Sequence, residues 1–160
     1  MINNLALLLT VLICHQLPAQ QEWIDQKLPG LVTLYEQLHQ SPELSFQEKE
    51  TSKKMAAILR ENGFVVIENI GGYGVAGVLR NGEGPSVLVR ADTDALPIVE
   101  NTGLEYSSKV RAIEQDGHEV GVMHACGHDV HMTVWSGVAS FLAQNKSQWS
   151  GTLLFVAQPA

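Results

Sequence analysis

The sequence predicts an α/β fold, with a mixed or largely parallel sheet flanked by helices. Three observations carry that expectation. Apolar residues recur at helical spacing in 23–40, 46–63 and 129–145. Short apolar runs of strand character occupy 64–70, 71–80, 85–92 and 151–160. The two kinds of segment alternate along the chain, an order that lays helices against a sheet.

Each element has its own local warrant. In "WIDQKLPGLVTLYEQLHQ" (23–40), Leu31, Leu34, Tyr35 and Leu38 share a face, and Pro29 suits a first turn, so regular helix is expected from there. "SPEL" (41–44) breaks it. Ser45 and Glu48 have capping-box spacing ahead of the next helix, 46–63. There Thr51, Met55, Ile58 and Leu59 should face the core, with Gly63 at the C-terminal cap. "FVVIENI" (64–70) is strand-like, and a glycine turn leads to a second strand in "GGYGVAGVLR" (71–80). Asn81-Gly82 is a hairpin signal joining that strand to "PSVLVRAD" (85–92). "SVLVR" is almost continuously apolar, as in a strand buried on both faces, which makes Arg90 odd there and calls for an acidic neighbour. Residues 101–121 are a polar loop with room for a hairpin. Asp129 should cap a helix that buries Val130, Val134, Val138, Phe141 and Leu142. "GTLLFVAQPA" (151–160) is a final buried strand, whose edge would expose hydrogen-bonding groups if unpaired.

Bulk properties bound the function. The 160 residues suffice for one domain with a core, and 45% hydrophobic with 17% charged is ordinary globular composition. The net charge of −7 and the lack of a basic stripe disfavour a nucleic-acid partner. "LALLLTVLIC" (5–14) is a ten-residue apolar run. As a helix it would reach ~15 Å, against ~30 Å of bilayer core, so it does not span a membrane. Followed by Ala19, it is expected to be a secretory signal over 1–20, although "MINN" carries no Lys or Arg; the alternative is an N-terminal helix that packs in the fold. The expected organisation is a signal at 1–20 and one domain at 21–160, secreted or periplasmic, with no membrane partner once the signal is removed. Cys126 is then the single cysteine, which excludes an internal disulfide.

The chemistry concentrates in "GVMHACGHDVHM" (121–132) and "ADTDALP" (91–97). Thiolate and imidazole both suit zinc and its borderline neighbours, and Gly127 lets the chain turn so that Cys126 and His128 face one ion. The start of the following helix favours the thiolate. Asp92 and Asp94 lie at a strand end, where α/β sheets bind ligands. One of them could bind metal and the other orient a ligand histidine. Three readings stay open at this point. In the first the clusters are parts of a metal site; in the second Cys126 is a thiol nucleophile with His124 or His128 as base; in the third the domain binds a metal or ligand without turnover. His39 and His118 sit in polar surroundings and are expected at the surface, and Trp135 is expected in packing.

Four segments in this order, "HQSPELSFQEKETS", "VLVRADTDALPI", "VMHACGHDVHM" and "LLFVAQPA", resemble M20-type metallopeptidases. The likeness is to the amidohydrolase branch that includes hippurate hydrolases, N-acyl-amino-acid deacylases and auxin-conjugate hydrolases. It runs from about residue 31 to residue 160. It implies the N-terminal part of a catalytic domain whose inserted lid or dimerisation domain is absent here. It implies hydrolysis of the amide of N-acyl amino acids or short peptides at two divalent metal ions, Zn or Mn, with Co or Ni compatible, in a homodimeric parent. By position, Cys126 and His128 are the implied metal ligands and Asp94 the aspartate that supports the catalytic centre. Asp92 falls where related branches carry a ligand histidine, His124 and Asp129 take supporting roles, and Thr93 replaces a frequent methionine. In the family, "QPA" is followed by two glutamates, one the general base and one a ligand, with two ligand histidines later still.

Overall fold

The last strand of the sequence is the middle of the sheet. The computed structural model describes the backbone from Asn4 and side chains from Gln20, through Ala160. In order, the elements are helix α1 (Asn4–Gln40), helix α2 (Lys49–Glu61), strands β1 (Val65–Ile70), β2 (Gly74–Asn81), β3 (Ser86–Asp92), β4 (Arg111–Ile113) and β5 (Glu119–Gly121), helix α3 (His128–Gln144) and strand β6 (Gly151–Gln158). The main sheet has the order β1-β2-β6-β3, and β4 with β5 forms a separate ribbon. β6 runs antiparallel to β2 and parallel to β3, so the sheet is mixed, as expected.

The Asn81-Gly82 hairpin is not formed between β2 and β3, because β6 lies between them. Leu79 and Val87 face Leu153 from opposite sides, and Gly77 and Val89 face Phe155 in the same way. Asn81 instead donates through Nδ2 to the carbonyls of Lys146 and Trp149 ahead of β6. The tight antiparallel pair is β1 with β2. β6 is therefore paired along both sides and has no free edge. β3 is an edge strand: Val87 and Leu88 are exposed, which corrects the expectation of burial on both faces. Arg90 does meet an acidic neighbour, Asp92 at 2.7 Å.

Burial on one face of the sheet sets the core. Val75, Leu79, Ala91, Leu153, Phe155 and Ala157 are buried against Leu38 of α1, Met55 and Leu59 of α2, and Met132, Trp135 and Ala139 of α3. Phe155 lies edge-on to both Phe64 and Trp135, at 5.3 Å in each case. The opposite face carries Val65, Ile67 and Leu88, which are 72, 56 and 58% exposed.

The helix ends differ from the sequence pattern. α1 continues through Pro29, which forgoes one helical hydrogen bond on an exposed turn. The expected signal at 1–20 falls mostly on residues outside the described side chains. Ser45 does not cap α2; Glu43 does, accepting the amides of Glu50 and Thr51 at 3.0 and 2.7 Å. At the other end Gly63, at φ +78°, takes the left-handed cap, with Gly63 N–H to Arg60 O and Phe64 N–H to Leu59 O. In α3 the cap position is Gly127, not Asp129. The buried face of α3 is Met132, Trp135, Ser136 and Ala139, with Gly137 against Leu31 of α1, while Val130, Val134 and Val138 are exposed. At Gly137 an added Cβ would come within 3.2 Å of Leu31, so that point of the α1–α3 contact suits a small residue. Among the described residues no helix is long and apolar enough to cross a membrane.

Candidate metal centre

β3 and β6 end level with each other, Asp92 opposite Gln158. Just beyond, three distant segments are knitted together. The Ala95 amide donates to Glu43 O at 2.8 Å, and Leu96 and Met123 exchange amide hydrogen bonds at 2.9 and 3.0 Å. Thr93 is buried and donates both its amide and its hydroxyl to Gln158 O. "ADTD", "HACGHD" and "QPA" therefore meet at one sheet edge, the place an α/β sheet offers to ligands.

Asp94 and His128 are the centre of this meeting. His128 Nδ1 lies 2.8 Å from the Asp94 carbonyl and 3.0 Å from its carboxylate. Both are acceptors, so Nδ1 carries the proton and Nε2 of the neutral ring keeps its lone pair. The other Asp94 oxygen accepts the Ser45 hydroxyl at 2.9 Å. Two residues before His128, Cys126 is free and exposed. Gly127 between them stands at φ +76°, the left-handed turn expected from its identity. Asp92 is held apart from Asp94 in its contacts: Arg90 reaches both it and Gln158. The donor set suits a borderline divalent metal: a thiol, and an imidazole nitrogen whose ring is fixed from behind by a carboxylate. Among the described residues no three His, Cys, Asp or Glu converge as a metal group. Cys126 and His128 supply two donors of that chemistry, two residues apart in sequence.

Buried polar residues surround this pair. His124 is buried, and neither ring nitrogen has a partner among the described residues. Burial foremost pushes it down to about 4, so it is neutral near pH 7. Glu48 is fully buried; one oxygen accepts the Ala160 amide at 3.0 Å, and the other has no partner among the described residues. His39 is not at the surface. It is buried between Asp129 and Glu100, with Nδ1 and Nε2 at 2.6 and 3.1 Å from their carboxylates. His118 is exposed and Trp135 buried, as expected. Sequence reasoning passed over Glu100, and it placed Ser45 and Glu48 in a cap they do not form. Their polar surroundings in sequence give no sign of burial, which arises from segments 49 to 112 residues away.

Residues 88–160 match peptidase family M20/M25/M40. Over 142 residues the chain is 42% identical to thermostable carboxypeptidase 1 of Saccharolobus solfataricus, covering 88% of this chain and 32% of that protein. Over 132 residues it is 39% identical to N-acetylcysteine deacetylase of Bacillus subtilis, covering 81% and 32%. Among solved structures, it superposes on the Bacillus subtilis YXEP protein, described as a dinuclear metal binding peptidase from the M20 family. The TM-score is 0.72 at 40% identity, covering 82% of this chain and 35% of that one. The chain thus spans about a third of the length of the curated relatives it matches. Its matched segment, its relatives and its fold all point to one family, the M20 peptidases, as the one this chain is similar to.

Proposed function

We propose that this chain forms part of a metal-dependent amidohydrolase acting on N-acyl amino acids or short peptides. One observation carries the reading: His128 is locked by Asp94 with Nε2 free, two residues from the exposed thiol of Cys126. Cys126 and His128 would hold metal, in a centre of two divalent ions, with Zn or Mn first and Co or Ni compatible. A bound ion there would acidify water and polarise the amide carbonyl. Asp94 fixes the His128 tautomer, and Ser45 fixes Asp94. The remaining ligands and the proton acceptor would come from the part of the family protein that this stretch does not span.

The test is made in the intact protein. Cys126→Ser should lower metal content and amide hydrolysis together, and chelation should abolish activity that added metal restores. Full activity at unchanged metal occupancy would sink the assignment. Activity that survives chelators but not alkylation of Cys126 would favour a thiol hydrolase. Stoichiometric metal without turnover would favour a binding domain.

Export with removal of residues 1–20 is part of this proposal, as is a homodimeric parent. Among the described side chains, α1 begins to pack on α3 at Trp23, which lies edge-on to Phe141 at 5.1 Å and donates to Gln144 at 2.9 Å. Cleavage near Ala19 would leave that packing in place. N-terminal sequencing of the protein recovered outside the cytoplasm checks it, and an intact Met1 would refute it.

A further inference from the structure

We propose that His39 is a positioning residue for the metal centre, a double hydrogen-bond donor that clamps together the two segments carrying Asp94 and His128. The inference rests on the metal reading of Cys126 and His128 above.

His39 is the penultimate residue of α1, and its side chain is 6% exposed; those of Glu100 and Asp129 are 0 and 2% exposed. Its two ring nitrogens face two carboxylates from two different segments. Glu100 closes the stretch that starts at Asp94, and Asp129 directly follows His128. The rest of each carboxylate is also engaged. Glu100 accepts the Thr102 hydroxyl and, at 2.5 Å, the Ser108 amide; Asp129 accepts the Val130 amide at 2.9 Å. Tyr35 and Tyr106 flank the ring at 5.7 and 5.5 Å. Among the described residues, His39 is the one basic group in contact with either carboxylate.

A neutral imidazole has a single N–H, and both of these nitrogens meet acceptors. The geometry therefore calls for an imidazolium between two carboxylates. Burial opposes that charge, but the hydrogen bonds to Asp129 and Glu100 outweigh it and hold the ring above the usual histidine range. Removing the ring would leave two buried like charges with no cation between them. Asp129 would then be drawn off, and the turn at Gly127 with it, so Cys126 and His128 would lose their fixed aim.

The experiment measures Co²⁺ binding to the intact protein through the cobalt–thiolate absorption. Circular dichroism serves as the fold control. His39→Gln should weaken Co²⁺ binding by about 10–100-fold, the range for outer partners of metal ligands. Adding Glu100→Gln to it should recover much of that loss by removing one of the two like charges. Simple loss of packing would not be recovered in this way. Wild-type binding by His39→Gln, or a double variant no better than the single, overturns the proposal. If His39→Gln does not fold, the ¹⁵N-histidine spectrum of the wild-type protein decides. Both His39 nitrogens should be protonated at neutral pH, and a bare one refutes the clamp. If Cys126→Ser keeps the thiolate band and the affinity, the metal reading itself fails and the positioning role falls with it. If Cys126→Ser abolishes both while His39→Gln changes nothing, only the role of His39 fails.

Discussion

At His39 the folded protein binds a proton more tightly than the unfolded chain does, and this ties stability to pH. Its folded pKa is raised above the ordinary histidine value of 6.5. The stabilisation is therefore fully present below about pH 6.5 and is lost as pH rises through the raised folded value. Glu100 works in the other direction. Burial raises its pKa, but hydrogen bonds from Thr102, Ser108 and His39 lower it further, so its contribution holds above pH 4.5 and fades as pH falls through the lowered value. Tyr35, pushed up to about 12 by burial, stays neutral throughout. The intact protein should lose thermal stability on the alkaline side of pH 6.5, and His39→Gln should flatten that limb. A variant with the same alkaline limb would show that the charge lies elsewhere. Gly127 offers a second check. A Cβ there would meet nothing within 4 Å, so the cost of Gly127→Ala is that of the backbone alone at φ +76°. About 1–2 kcal/mol is expected, read from urea unfolding. The turn at Gly127 and the candidates Asp94 and His128, which meet, were legible in sequence because they sit in short, dense motifs. His39 was not. A histidine among polar neighbours looks like surface until Glu100 and Asp129, 61 and 90 residues away, close over it.

Among the elements, α2 shows how a cap can be misassigned by spacing. Ser45 and Glu48 have the right separation, yet the amides at the start of α2 are taken by Glu43. Glu43→Ala should cost about 1 kcal/mol through the lost cap. Ser45→Ala should leave α2 intact and act on Asp94 instead, reducing metal affinity more than stability. Greater destabilisation by Ser45→Ala than by Glu43→Ala would contradict this division. α3 forms as expected, with Leu142 packed on the core and Phe141 half-buried, but the three valines expected inside are exposed. Hydrophobicity pointed to Val130, Val134 and Val138, whereas contact selected Met132, Trp135, Ser136 and Ala139. Trp135 donates to Val89 O at 3.2 Å, a partner the helical period alone does not reveal.

On the scale of the whole molecule, all three helices contribute to the core on one face of the sheet, and the other face leaves Val65, Ile67 and Leu88 open. Exposed apolar residues on one face of a sheet favour association. The 160-residue chain on its own should bind a hydrophobic dye and self-associate with concentration, and Leu88→Lys should reduce both. A monodisperse chain that ignores the dye would show that this face is closed in solution. The fold class was legible because alternating helices and strands leave few arrangements. The strand order was not, because local signals such as Asn81-Gly82 say nothing about a strand that arrives 70 residues later.

The central place of β6 also has a consequence for synthesis. Until Gly151–Gln158 has emerged from the ribosome, β2 and β3 have no shared partner, and each presents a free edge. Until then the nascent chain carries two open strands and the apolar residues of three helices. A ribosome-bound chain halted at residue 150 should be degraded by added protease, while one in which residue 158 has cleared the exit tunnel should resist it. Those eight residues close the sheet, and they end at the edge where Asp94 and His128 meet.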